Sequence, residues 1–517
     1  MKNIKYIGLS LLATVMFSCE NEELDELRNQ GIEDSAPLPE LTAGTADFSS
    51  YVSLGNSLTA GFSDGTVFLA AQQNSFPSIL ANKMALLGGG LFTQPLVNDN
   101  FGGLALGGTR IAEPRFVTLG GPPTPLESVI GPVTVTTDIA LNNPTGPFNN
   151  MGVPGAASFH LLAPGYGNIA NLSAGLANPY FIRMTGATPD ASIMELAMAQ
   201  SPSFVTLWIG ANDVLGYATG GASSGAPTPQ PVFDGAIAQI MSALGGVQGV
   251  MANIPNVTDL PYFTTVPNNA LALDATSAAS LTGFFQAVTG IFAQGLIAQG
   301  VPPNDALALA SQYALTFNEG PNRFLIDVPP SASNPLGFRQ MTEDELLLLP
   351  IDQGALAQGY GSVVLSNEVL QVLGILQTGG TITPQQGALV ISAVNGIDDG
   401  DALDSDEITE ISTAISGYNA TIQAAAAAAG FGFMDANSIF QQMASTGYTD
   451  GNFTLTTNLV LGGAVSLDGV HPTSRGYGLV ANEIMKAIDA AYGSNFEASG
   501  NLVDIGDFPT NYSPLLQ

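Results

Sequence analysis

Basic side chains are scarce in this chain. Eleven Lys and Arg stand against 43 Asp and Glu among 517 residues, a formal net charge of −32. Nucleic acid and anionic lipid surfaces are bound by clustered Lys and Arg, so both are disfavoured as partners. Cysteine occurs once, at Cys19, which excludes an intramolecular disulfide. Histidine occurs twice, at His160 and His471, so chemistry that needs an imidazole has only two candidates. Beyond the amino terminus, no stretch reads as long and apolar enough to cross a membrane. Hydrophobic residues nevertheless reach 45%, enough for a sizeable core in one enlarged domain with insertions.

What is present begins with Lys2 and Lys5, ahead of an apolar run from Ile7 to Phe17. Ser18-Cys19 closes that run, and the acidic Glu20-Asn21-Glu22-Glu23 follows. This is the outline of a secretory signal, too short to remain as a spanning helix. A lone Cys after a small residue at its end resembles the lipobox of bacterial lipoproteins, with Met16 where Leu usually stands. The resemblance implies a lipoprotein signal peptide over 1–18 and lipidation of Cys19. The acidic run resembles the export tether of surface lipoproteins in the Bacteroidetes. Residues 19–47 then read as a flexible acidic tether. The expected location is the cell envelope, as an outer-membrane lipoprotein touching the membrane through its lipid alone.

From Phe48 the texture changes to short apolar runs separated by glycine-rich loops. Tyr51–Leu54, Phe204–Ile209, Gly249–Ile254 and Phe431–Met434 read as buried strands. Helical patterns lie between them, carried by Ala236, Ile237, Ile240, Met241 and Leu244, and later by Ile484, Met485 and Ile488, stopping at Gly493. Continuous apolar strands alternating with helices predict an α/β fold, a parallel sheet covered on both faces. The expected divisions are 48–261 and 405–493 for the sheet domain, a mainly helical insertion at 262–404, and a C-terminal tail at 494–517. Within the insertion, Leu281–Ala298 reads as a helix. Thr342-Glu-Asp-Glu345 reads as a capping box ahead of a helical piece at Leu346–Leu349. The acidic stretch 395–407 has an Asp-Gly pair suited to a calcium loop, but Ile397 occupies a ligand position. Asp404 with Glu407 instead fits the start of the next helix.

The chemistry centres on "GNSLTAG", where an apolar strand stops and Ser57 follows. A serine hydroxyl is a poor nucleophile until a base takes its proton. His471 lies in "SLDGVHPTSRGYG", three residues after Asp468, a spacing that lets one loop hold a carboxylate against an imidazole. His160, in "GAASFHLL" with leucines beside it and no acid nearby, reads as a structural helix residue or pocket wall. Acyl transfer also needs donors for a developing oxyanion. "NNMGVPGA" offers the Gly155 amide in a tight loop ahead of a helix, and "WIGANDVLG" sets Asn212 beyond a strand end. Strand carboxyl ends are where open parallel sheets gather ligand groups.

Together these four segments resemble the four signature blocks of the SGNH/GDSL hydrolase family of esterases and lipases. "GNSLTAG" matches the serine block, Asn150–Gly155 the glycine block, "GAND" the asparagine block and "DGVHP" the Asp-x-x-His block. The resemblance spans 48–260 and about 405–492. It implies a three-layer, flavodoxin-like fold with a five-stranded parallel sheet. It also implies Ser57 as nucleophile, His471 as base and Asp468 as its orienter. The Ser57 and Gly155 amides and the Asn212 side chain would form the oxyanion hole, with no metal or cofactor. Asn56 stands where the family usually has Asp, removing a charge beside the serine. The implied activity is hydrolysis of carboxylic esters, acyl or acetyl groups on lipid or glycan. The alternative is a surface lipoprotein that binds glycan or lipid on the same fold without turnover.

Overall fold

The computed structural model describes residues 37–517, Ser224 excepted. The signal segment, Cys19 and the first part of the tether lie outside the described residues. Chain attachment begins ahead of the texture change at Phe48. Thr42 N–H donates to Asn495 Oδ1 at 2.7 Å, and Thr45 N–H to the Tyr492 carbonyl at 2.8 Å.

Five strands form one sheet: β1 (Tyr51–Gly55), β2 (Asn150–Gly152), β3 (Phe204–Trp208), β4 (Gln248–Ala252) and β5 (Gly432–Met434). Their spatial order is β2-β1-β3-β4-β5, and every pairing is parallel. The chain is therefore a mixed α/β protein built on a five-stranded parallel sheet. Strand residues point alternately to the two faces, and both faces are apolar. Val52, Leu54, Val205, Leu207 and Met251 point to one side. There they meet Phe233, Ile237 and Ile240 of helix Gln230–Ala243 and Ile411, Ile415 and Ile422 of helix Ser405–Ala429. Tyr51, Phe204, Trp208 and Val250 point to the other side, against helices Phe76–Ala85 and Ser474–Tyr492. The few polar groups in the sheet satisfy one another: Thr206 Oγ1 lies 2.8 Å from both Tyr51 Oη and Ser53 Oγ.

Strand β2 was not foreseen. It has three residues at the sheet edge, with one large apolar side chain, Met151, between Asn150 and Gly152. Pairing with β1, not its own pattern, makes it a strand.

The region from 262 to 404 carries two apolar clusters of its own. One gathers Phe284, Phe285, Val288, Tyr313 and Phe338; the other gathers Phe324, Ile326, Met341 and Ile397. Helix Ala275–Ala298, capped by Asp274 Oδ1 on Ser277 N–H, is its longest element. By length and composition alone that helix could cross a bilayer, contrary to the expectation from sequence. Alanine, glycine and small polar residues dilute its apolar pattern to the eye. Phe284, Phe285 and Val288 turn inward into the first cluster. Short antiparallel pairs accompany the helices, among them Leu271–Leu273 with Gly320–Asn322 and Leu325–Asp327 with Phe338–Gln340.

The expected helical piece at Leu346–Leu349 is not helical. Leu346–Leu347 is a strand, antiparallel to Ala402–Leu403. The reach-back half of a capping box does form, from Thr342 N–H to Glu345 Oε2 at 2.8 Å. Glu345 is also taken by Arg339, at 2.5 and 2.8 Å. Four apolar residues before Pro350 make too short a segment to propagate a helix. The Asp404–Glu407 box behaves as read. Glu407 Oε2 accepts from Asp404 N–H at 2.7 Å, and Asp404 Oδ1 from Glu407 N–H at 2.9 Å.

Candidate active site

Strand β1 ends at Gly55, where a Cβ would fall 2.4 Å from the Trp208 carbonyl and 2.2 Å from Thr59 Oγ1. Only glycine lets the chain turn there into the single helical turn Ser57–Ala60. The cap of that turn is Asn56, whose Oδ1 accepts from Leu58 N–H at 3.0 Å. Ser57 is therefore released from capping. Its Oγ lies 2.9 Å from His471 Nε2. The amide of Asn56 performs the capping that a carboxylate would, without placing a charge there.

On the opposite side, His471 Nδ1 lies 3.0 Å from Asp468 Oδ2. Asp468 Oδ1 accepts the N–H groups of Val470 and His471, both at 2.9 Å. Burial pushes the Asp468 carboxyl up, but the adjacent His471 ring and these N–H donors outweigh it and hold it down at about 2. Asp468 is thus a fixed anion across the working pH range, oriented to receive a proton-bearing Nδ1. Serine, histidine and aspartate form a continuous hydrogen-bonded line over residues 414 and 3 positions apart.

A strap not legible in the sequence holds this loop, and it follows directly after the serine turn. Ser63 Oγ donates to the Pro472 carbonyl at 3.2 Å, and Asp64 N–H to Ser466 Oγ at 3.0 Å. Asp64 Oδ1 accepts Leu467 N–H at 3.1 Å, and Gly65 N–H reaches Asp468 Oδ2 at 2.9 Å. Phe62 lies against the His471 ring, centroids 4.4 Å apart. Asp64 has φ +52°, a conformation disfavoured for a residue with a Cβ and sustained here by its bonds. Burial raises its carboxyl to about 7; the Leu467 N–H opposes this, the neighbouring Asp468 adds to it, and Arg115 opposes it.

The predicted oxyanion donors are partly gathered. Asn212 and Ser57 line one pocket, and Asn212 Nδ2 donates to the Ala156 carbonyl at 3.0 Å. That bond leaves its second hydrogen uncommitted. Asp213 accepts from Ser158 N–H and Oγ, both at 2.8 Å, and so ties the helical turn that follows the glycine block to the asparagine block. The Ser57 and Gly155 N–H groups make no hydrogen bond among the described residues. Gly155 is exposed at φ +82° and does not line the pocket itself. His160 is apart from all this: its ring stacks on Tyr166 at 4.4 Å, and Nδ1 accepts from Ala157 N–H at 3.0 Å.

The pocket beside Ser57 and His471 encloses about 430 Å³, its open mouth included. Leu58, Trp208, Leu215, Val257, Leu260 and Phe440 make most of its wall, and no Lys or Arg lines it. Pro255, Val257 and Leu260 come from the segment after β4, whose role sequence alone left open. Comparison of the chain with models of protein families, with curated proteins and with solved structures finds no match in any of the three.

Proposed function

We propose that this protein is a serine esterase of the SGNH/GDSL type, acting on carboxylic esters through an acyl-enzyme. The single observation that carries the reading is the line Ser57 Oγ–His471 Nε2–His471 Nδ1–Asp468 Oδ2, at 2.9 and 3.0 Å, opening on an apolar pocket. The strand order, with β1 and β3 adjacent and parallel and the direction in which successive strands are added switching there, supports the flavodoxin-like arrangement of that family. Ser57 stands at the carboxyl end of β1, where such sheets gather ligands.

In this reading His471 Nε2 takes the proton from Ser57 Oγ as that oxygen attacks the ester carbon. Asp468 stabilises the imidazolium so formed. The Asn212 amide and the unengaged Ser57 and Gly155 N–H groups are the donors for the oxyanion. Collapse releases the alcohol with a proton from His471, and water repeats the sequence to free the acid. The apolar wall suits the acyl part of the ester, and the absence of lysine and arginine in it disfavours an anionic one.

A p-nitrophenyl butyrate assay on wild type and Ser57→Ala tests the activity, and equal rates would overturn it. Labelling by a fluorophosphonate probe that persists in His471→Ala would remove His471 as the base. The glycan- or lipid-binding alternative without turnover gains nothing from so complete a set of hydrogen bonds around Ser57. We further propose anchoring at the cell envelope through Cys19, which unchanged membrane fractionation of Cys19→Ser would contradict.

A further inference from the structure

Soon after the serine turn the chain makes a second, tighter turn. Ser63 and Thr66 exchange backbone hydrogen bonds at 3.0 and 3.1 Å, so Asp64 and Gly65 form a two-residue hairpin loop. Both have positive φ, +52° and +87°, the type I′ form to which an Asp-Gly pair is suited. This loop meets three consecutive residues of the acid–base loop, with one bond to each. Asp64 N–H donates to Ser466 Oγ at 3.0 Å, Asp64 Oδ1 accepts Leu467 N–H at 3.1 Å, and Gly65 N–H donates to Asp468 Oδ2 at 2.9 Å. The last bond reaches the same oxygen that faces His471 Nδ1. With Val470 N–H and His471 N–H on Oδ1, four donors occupy the Asp468 carboxylate, as many as its oxygens have lone pairs to offer. Among the described residues, the Gly65 N–H is the one donor of these that comes from outside the acid–base loop.

We propose that Asp64 is a positioning residue for the reaction: it holds Leu467 and turns the Gly65 N–H onto Asp468, and so fixes the carboxylate against the imidazole. The inference rests on the esterase reading. Asp64 does not line the pocket, and its bonds go to the acid–base loop, so it acts on the base only through Asp468. Glycine would take up the left-handed conformation of position 64 without strain. It would leave the Leu467 N–H without its acceptor, which is why a side chain is needed there. A carboxylate free to rotate leaves Nδ1 misaligned, and the imidazolium formed during attack loses part of its stabilisation. Substrate binding uses the pocket wall and not this carboxylate, so the loss falls on kcat rather than on KM.

The test pairs p-nitrophenyl butyrate kinetics with NMR of protein carrying isotope-labelled histidine. The chain has two histidines, so His160→Gln assigns the His471 signals. In wild type the His471 Nδ1 proton is expected far downfield, as a hydrogen bond to a carboxylate requires. Asp64→Ala is expected to lower kcat about ten- to hundredfold at nearly constant KM, and to move or broaden that signal. Asp64→Gly, which is at home at positive φ and so keeps the turn without the acceptor, is expected to do the same. Asp64→Asn still offers Leu467 an acceptor, and should keep both kcat and the signal near wild type. A folded Asp64→Gly protein with wild-type kcat and an unmoved His471 signal would overturn the proposal. Asp64→Asn as impaired as Asp64→Ala would overturn it too. Ser57→Ala hydrolysing the ester as fast as wild type is a separate result and overturns the esterase reading. The His471 signal is read without substrate, and still decides what Asp64 does to Asp468.

Discussion

The body around the five-stranded sheet and the insertion between 262 and 404 hold themselves together differently. In the body, the bonds that shape the site run between segments about four hundred positions apart, as from Gly65 to Asp468 and from Ser63 to Pro472. In the insertion, strands pair over much shorter separations, and two apolar clusters belong to it alone. The two regions meet at the acid–base loop. Tyr262 N–H donates to the Gly469 carbonyl at 3.0 Å, and Leu349 N–H to the Tyr262 carbonyl at 2.8 Å. Gly469, at φ +76°, has no room for a Cβ, which would lie 2.9 Å from Tyr262 N. The body therefore supplies the line of Ser57, His471 and Asp468, while the insertion backs the loop that carries the last two. On the esterase reading, stability and reactivity are therefore expected to be separable.

The largest effect expected is on chemistry alone. Ser57→Ala should lower kcat for p-nitrophenyl butyrate by about four orders of magnitude or more, while the thermal midpoint stays put. A large fall in midpoint would mean that Ser57 also holds the fold. The reverse case is Phe285→Ala, a fully buried ring in the insertion. It should cost about 3–5 kcal/mol, read by urea unfolding, with esterase activity at low temperature nearly kept. Activity lost in proportion to stability would erase the distinction between the regions.

Asp64 sharpens the comparison within the body. Its carboxyl titrates at about 7 when folded, against an ordinary 3.8, so the fold favours the protonated form. The associated stability is complete below about pH 4 and is lost as pH rises through about 7, a span of roughly 4 kcal/mol. Asp64→Asn, neutral throughout, should therefore gain stability relative to wild type between those limits, measured by urea unfolding at both ends. A difference independent of pH would show that Asp64 is ionised throughout. The smallest effect is at Asn56. Asn56→Asp should keep the cap on Leu58 and change kcat little. The added charge favours the imidazolium, so the acidic limb of the pH–rate profile should move to higher pH. A shift to lower pH would contradict this.

The parts of this molecule that could be read from sequence are those where one residue type has few physical uses. Two histidines in the whole chain, one of them three residues from an aspartate, made the search for a base short. Four of five sheet strands announced themselves as apolar runs, because a strand buried on both faces has little choice of composition. Strand β2 was hidden because three residues carry no pattern and its pairing comes from β1. The segment at Leu346 misled for a related reason: a capping signal is local, whereas the partner strand at Ala402 lies elsewhere in the chain. The strap of Phe62 to Gly65 was beyond sequence reading altogether. Its function resides in what it touches some four hundred positions later.

That separation has a consequence for when the hydroxyl becomes reactive. Ser57 is synthesised early, and its base lies 414 positions further along the chain. Until both the sheet and the loop from Ser466 to Pro472 have docked on residues 62–65, the serine is an ordinary alcohol. Closing a loop of that length carries an entropy cost that local contacts do not, so the arrangement depends on long-range docking. On the esterase reading, the nascent protein is in this sense its own inactive precursor.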